Sequence, residues 1–175
     1  MGSVFQPRAG LRLLLCALML AGCRETGGEG ELFGISGKLF VFNYRVATAT
    51  ALITLAPQQP VEAGTAVARF ENPAGGKAIQ VSQKIWPNAP KLVLETPPLR
   101  CIVKDRPYAV SISILDADGK LRQTIETTMK SSQDQDVLPD RPLVVGPVYT
   151  PNPELAGRPD GKLPDAAAEP CPPRS

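Results

Sequence analysis

Residues 108–114, Tyr-Ala-Val-Ser-Ile-Ser-Ile, alternate without a break. Tyr108, Val110, Ile112 and Ile114 share one parity, and Ala109, Ser111 and Ser113 share the other. Successive side chains of a strand point to opposite faces, so this pattern requires one buried and one solvated face. Asp116-Ala-Asp-Gly119 then marks a turn, since Asp-Gly is a favoured hairpin pair. Residues 121–129 return with Leu121, Ile125 and Met129 on one parity. The chain therefore contains an antiparallel hairpin whose apolar face must be covered by a second layer.

The rest of the chain supplies that layer in short pieces. Residues 35–44 are rich in aromatic and β-branched types, with Phe40, Phe42 and Tyr44 on one parity and Leu39, Val41 and Asn43 on the other. The aromatic set is expected to face the core. Residues 46–55 follow, with Thr48 and Thr50 as a wet face and Pro57 and Pro60 ending the strand. Residues 61–70 give another strand, with Val67 and Phe70 as its apolar members. Asn72-Pro-Ala-Gly-Gly76 is a strong turn signal. Residues 78–85 and 91–95 are strands separated by Pro87 and Pro90, and residues 143–149 form a last or edge strand interrupted by Pro147. Seven or eight short strands in residues 32–150, with no helix of four turns, predict an all-β fold. The expected architecture is an antiparallel Ig-like β-sandwich, with a Greek-key barrel as the close alternative.

The chain has 19 prolines, and ten of them fall between Pro139 and Pro173. Residues 151–175 are therefore expected to form an extended Pro-rich tail outside the sandwich. At the other end, residues 23–31 are dense in Gly and Glu and predict a disordered tether.

Residues 1–22 have the layout of a secretory signal peptide: Arg8 and Arg12 with no acid, then a nine-residue apolar run from Leu13 to Ala21. A membrane-spanning helix needs about 20 apolar residues, twice that run. The ending Leu20-Ala21-Gly22-Cys23 resembles the lipobox of bacterial lipoproteins. That resemblance implies cleavage between Gly22 and Cys23 and acylation of Cys23. Each buried CH₂ contributes about 0.8 kcal/mol, so several acyl chains hold a protein firmly to a bilayer. It also implies residence in the bacterial cell envelope, facing the periplasm. Arg24, in place of the Asp that retains enterobacterial lipoproteins at the inner membrane, favours the outer membrane.

Of four cysteines, Cys16 leaves with the leader and Cys23 is taken by lipid, so Cys101 and Cys171 remain. In an oxidising compartment these two are expected to pair, although two separate reduced thiols would satisfy the same count. Neither belongs to a CxxC motif, so no redox-catalytic pattern is present.

Charge and composition narrow the function classes further. The formal net charge is +2, but Arg8 and Arg12 lie in the leader, and its removal leaves basic and acidic residues balanced at 17 each. A neutral surface has no field for polyanions, so nucleic-acid binding is not expected. The chain has no histidine, which removes Ser-His-Asp and Cys-His catalysis and every His-ligated metal site. Asp116 and Asp118 suggest a calcium loop for a moment, but loop position 12 would be Thr127 rather than glutamate, and a hairpin turn explains them. Asp134 and Asp136 lie in a polar stretch and read as a solvated loop rather than an acid–base pair. After loss of the leader only Met129 remains, which does not support a methionine copper site. Trp86, the sole tryptophan, is expected in the core, with an exposed partner anchor as the alternative.

Three stretches in order carry a family resemblance: Ser36-Gly37-Lys38 opening a strand, Ala51-Leu-Ile-Thr-Leu55 ending the next, and the hairpin from Tyr108 to Leu121. Together, over residues 35–150, they resemble the YbaY-type lipoproteins, related to the YscW-like pilotins of type III secretion. The resemblance implies a lipidated β-sandwich without catalytic residues, and in the pilotins one that helps a secretin ring reach the outer membrane. The Cys101 and Cys171 pair and the long tail lie outside that pattern. The expectation is a non-enzymatic, membrane-anchored envelope lipoprotein with no cofactor, binding or assisting assembly of another envelope protein. A small-ligand binder with a pocket between the sheets and a purely structural lipoprotein are the alternatives.

Overall fold

The computed structural model describes residues 30–164 and 171–173. Seven strands build two antiparallel sheets: β1 (Phe33–Asn43), β2 (Thr48–Pro57), β3 (Gly64–Phe70), β4 (Ile79–Ile85), β5 (Leu92–Glu95), β6 (Pro107–Asp116) and β7 (Leu121–Lys130). One sheet runs β1-β2-β5 and the other β4-β3-β6-β7. This is an Ig-like sandwich, as the strand pattern predicts. A constant-type immunoglobulin domain places its fourth strand in one sheet with the first, second and fifth. Here β4 stays beside β3, because residues 72–76 close a tight turn. Asn72 Oδ1 accepts the Ala74 N–H, and the Asn72 carbonyl accepts the Gly75 N–H at 2.8 Å.

The two sheets meet through complementary volumes. β6 buries Tyr108, Val110, Ile112 and Ile114, the set expected from its alternation. Opposite Ile112 and Ile114 lie the small Ala68 and Ala66 of β3. In the other sheet Phe40 and Phe42 lie opposite Ala51 and Ala49 of β2. Small residues beside large ones let the rings and branched chains interdigitate at interior density. Phe40 meets Tyr108 edge to face across the sandwich, ring centroids 5.7 Å apart.

Three assignments made from sequence need correction here. Val67 is half-buried on the outer face, while Ala66, Ala68 and Phe70 point inward. Phe70 and Val67 have opposite parity, so the strand cannot bury both, and the larger ring decides. Leu121 is 53% exposed because the register slips between Ile114 and Leu115 and leaves it at the hairpin tip. Tyr44 is likewise exposed, one residue beyond the end of β1. Gly64 is required where β3 begins, since a Cβ there would run into the Leu115 carbonyl.

Residues 143–149 are not a single strand. Val144–Val145 (β8) and Thr150–Pro151 (β9) form a separate two-stranded hairpin, and the chain between them turns at Gly146 (φ 70°) and Tyr149 (φ 56°). The sandwich therefore ends at Lys130. Residues 131–164 form a further segment laid over one end of it, joined to the β1–β2 turn where the Leu143 N–H donates to the Arg45 carbonyl at 2.9 Å. Nor are residues 151–164 simply extended. Pro153–Leu155 makes a 3-10 turn, Asn152 and Leu155 are buried, and Asn152 Nδ2 donates to the Pro142 carbonyl at 2.8 Å.

A tyrosine side chain braces the crossing from β5 to β6 where it enters the next strand. Tyr108, the second residue of β6, is buried, and its Oη accepts the Val103 N–H at 2.8 Å. A tyrosine at the start of the sixth strand that bonds backbone a few residues upstream is the tyrosine corner of immunoglobulin-type sandwiches. The Arg106 guanidinium lies 4.7 Å over the ring and pairs with Glu71 at 2.7 Å. Removing a hydroxyl that satisfies a part-buried N–H leaves that donor unpaired. Tyr108→Phe should therefore lower stability by about 1–2 kcal/mol, read from the midpoint of urea unfolding with an unchanged slope.

Candidate functional site

The strand register sorts the loops onto two ends. Pro57 pairs with Phe33, Leu55 with Leu92, and Gly64 with both Ile85 and Asp116. The start of the described chain therefore shares an end with the β2–β3, β4–β5 and β6–β7 connections; we call it the entry end. The β1–β2 and β3–β4 turns, the β5–β6 crossing and residues 131–164 share the other, the tail end.

At the tail end Cys101 and Cys171 are joined by a disulfide, with Cα atoms 5.5 Å apart. Cys101 is buried and Cys171 exposed, so the bridge ties an outer segment to the body. With its cysteines 70 positions apart, chain entropy puts its contribution at about 4 kcal/mol. Beside it lies a cavity of about 180 Å³, lined among others by Glu71, Asn72, Arg106 and Pro172. Glu71 is fully engaged there: Oε1 accepts from Arg106 and Oε2 from the Ala109 N–H at 3.0 Å. It braces the tyrosine corner rather than offering a spare carboxylate to a reaction. A wider open groove of about 510 Å³ lies on the outer segment, against Leu143, Pro151, Pro153 and Leu155. Neither cavity lies between the sheets.

The acidic candidates are absorbed into turns. Asp116 Oδ1 accepts the N–H groups of Asp118 and Lys120, which shapes the β6–β7 turn. Asp134 is half-buried rather than freely solvated: its Oδ1 accepts the Lys104 N–H at 3.0 Å, since it stands at the start of the 3-10 turn Gln135–Val137. Asp136 is exposed. Among the described residues no group of three or more His, Cys, Asp or Glu side chains is placed to hold a metal ion.

Trp86 is 59% exposed, not in the core. The inward parity of β4 ends on Ile85, which is buried, so the next side chain falls outside. The Lys84 ammonium lies 4.1 Å over its ring.

Exposed apolar side chains also mark the outside of the β1-β2-β5 sheet, as they do the turn between β8 and β9 at Val148 and Tyr149. Leu39 and Val41 are 48% and 40% exposed, and Val93 stands exposed two strands away. Leu39 lies opposite Leu52, and Val93 opposite Thr54. β1 is also an edge: β2 is its only ladder partner among the described residues. The edge is covered at its start, where Gln123 Oε1 accepts the N–H groups of Leu32 and Phe33 and Gln123 Nε2 donates to the Phe33 carbonyl. Beyond that clamp the edge is interrupted by a bulge between Ile35 and Gly37, and Lys38 Nζ donates to Thr127 Oγ1 of β7 at 3.0 Å. Among the described residues only the stretch from Leu39 to Asn43 has neither a second ladder partner nor a side-chain bond from β7. Its sequence signal is the run Leu39-Phe-Val-Phe42, apolar on both parities, the composition of a strand with two covered faces.

No protein-family model matches the chain, and no curated protein matches its sequence. The proposed cleavage site at Gly22 and Cys23, and the lipid attachment at Cys23, lie outside the described residues. No helix among the described residues is long and apolar enough to cross a membrane.

The outer segment is pinned by Asp140 and Lys162. Asp140 Oδ2 accepts the Leu163 N–H at 2.8 Å, and that bond, with the Lys162 ammonium 3.4 Å from Oδ1, holds its pKa below the ordinary 3.8. A carboxylate with a lowered folded pKa stabilises the fold fully above its unfolded value, and that contribution fades as pH falls through the folded one. The protection of the Leu163 amide against hydrogen exchange, taken relative to an unstructured amide at the same pH, should therefore be full at pH 5 and fall as the pH drops below about 3.8. Asp140→Asn should remove that pH step.

Proposed function

We propose that this chain is a lipid-anchored protein of the bacterial envelope, not an enzyme, which binds another envelope protein or assists its assembly through β1. The observation that carries the reading is the open edge of β1 together with the exposed Leu39 and Val41 on its outer face. An exposed edge invites strand addition: backbone bonds supply affinity and outward side chains supply specificity. Natural sheets usually blunt such an edge with charge, proline, a bulge or a cover; here the Gln123 clamp, the bulge between Ile35 and Gly37 and Lys38 guard the first half of β1, and Leu39 to Asn43 carry none of these.

The anchor rests on the lipobox Leu20-Ala-Gly-Cys23 and on the cysteine count. Cys101 and Cys171 occupy each other, so Cys23 is the one thiol left once the leader is cut. A sandwich is also the architecture implied by the resemblance to the YbaY-type and YscW-like lipoproteins, which supports an assembly role. A small ligand held between the sheets has less support, because the cavities described sit at the tail end.

Two experiments test the two halves. A Cys23→Ala variant should lose labelled fatty acid and move from the membrane pellet to the soluble fraction; unchanged fractionation would sink the anchor. A photo-crosslinking residue at position 39 or 41 should yield one discrete protein adduct in the envelope, whereas position 80, exposed on β4, should yield none. Equal adducts from all three positions would remove β1 as the binding strand.

A further inference from the structure

We infer that the entry end of the sandwich faces the bilayer and seats Trp86 in its headgroup layer. This rests on the lipid anchor proposed at Cys23. Six residues, 24–29, separate Cys23 from Gly30, the first residue described, and seven Cα steps span at most about 25 Å. The folded body is thus held close to the lipid, and the end held closest is the one where the chain enters it.

That entry is fixed, not swinging. The Gln58 N–H donates to the Leu32 carbonyl at 2.9 Å, and Gln59 Nε2 donates to the Gly30 and Glu31 carbonyls. With the Gln123 clamp, these bonds anchor the first described residues to the β2–β3 connection and to β7. Orientation at the tether is therefore passed to the whole sandwich.

The same end carries the apolar side chains that a bilayer surface would take. Trp86 sits in a turn closed by the Ala89 N–H on the Trp86 carbonyl at 3.2 Å, with Asn88 at φ 61°, and its ring points outward. An indole is apolar in body and polar at its N–H, which is why tryptophan concentrates at the headgroup level. Leu121 stands exposed at the tip of the β6–β7 hairpin. β4 and β7 are the two edges of one sheet, so the two side chains are about three strand spacings, roughly 14 Å, apart. Two separated contacts fix a tilt as one cannot. Charge does not drive the contact: Lys84, Lys91, Lys120 and Arg122 are balanced at this end by Glu31, Glu62, Asp116 and Asp118. The partner is a bilayer surface of any headgroup charge, and the lipid supplies the affinity while Trp86 supplies orientation. The tail end, capped by residues 131–164, points away from the membrane.

Trp86 is the only tryptophan in the chain, so its fluorescence reports this site alone. The lipidated mature protein is reconstituted in phosphatidylcholine vesicles, with and without lipid brominated near the top of its acyl chains. Trp86 emission should shift to the blue and be quenched by the brominated lipid, and aqueous acrylamide should quench it about twofold or more less than in the unlipidated Cys23→Ala protein. A second variant carrying Trp86→Phe and Tyr149→Trp moves the probe to the tail end and should show neither effect. Adding anionic lipid should change nothing. Flotation with the vesicles but no bromine quenching of Trp86 overturns the orientation and leaves the anchor standing. Equal quenching at positions 86 and 149 overturns it as well. Failure to float overturns the anchor and this inference together, and is read before any fluorescence.

Discussion

The bond from the Val103 N–H to Tyr108 Oη holds the place where the chain changes sheets for the last time. It ties the crossing to the strand that follows, and the ring that carries the hydroxyl packs against Phe40 of the opposite sheet. The same ring is roofed by Arg106, which Glu71 holds from the end of β3. Cys101, two residues before Val103, takes a left-handed backbone (φ 64°) to enter this corner and carries the disulfide to the outer segment. The relation between the sheets, the path of the crossing and the attachment point of the chain's last part thus meet around one side chain. A part-buried donor without that acceptor would cost about as much as losing a well-made bond.

The parts of this fold that could be read from the residues are those governed by period two. The β6–β7 hairpin, the strand count and the inward set from Tyr108 to Ile114 all follow from alternation and turn chemistry. Where alternation was weak the reading slipped by one face or one element. In β3 the alanines that point inward carry almost no hydropathic signal, and Val67 drew attention to the wrong side. Residues 143–149 have the composition of a strand, but their course depends on Gly146 and Tyr149 adopting positive φ, which composition does not reveal. The outer segment was the least legible. Its order comes from polar side chains that bond distant backbone, such as Lys162 Nζ donating to the Asp136 and Leu138 carbonyls, and such bonds leave no periodic trace.

The candidate surface divides in the same way. A β1 apolar on both parities is plain in the sequence, and the aromatic parity explains only Phe40 and Phe42, which pack against the core; alternation alone gives the Leu39–Val41 parity no partner. Only the strand order shows that β1 is an edge and that its outer side chains have nothing over them among the described residues. Trp86 is the converse case. Its size favours burial in general, and a single position beyond the last inward residue of β4 is enough to place it outside. With one end closed by the chain's own outer segment and the other bearing the entry point, the sides of the sandwich are what remain for a protein partner.

The direction in which β1 runs has a mechanical consequence. The strand begins at the entry end and leads away from it, paired with β2 at ten positions from Phe33↔Pro57 to Asn43↔Thr48. Bonds between antiparallel strands lie across the strand axis. A tug on the chain ahead of Gly30, directed away from the domain along that axis, loads the whole ladder in shear at once. Peeling would break the same bonds singly, but the Gln123 clamp and the Gln58 and Gln59 contacts hold the first residues against that motion. The domain is built to be pulled by its leading end without unravelling from it.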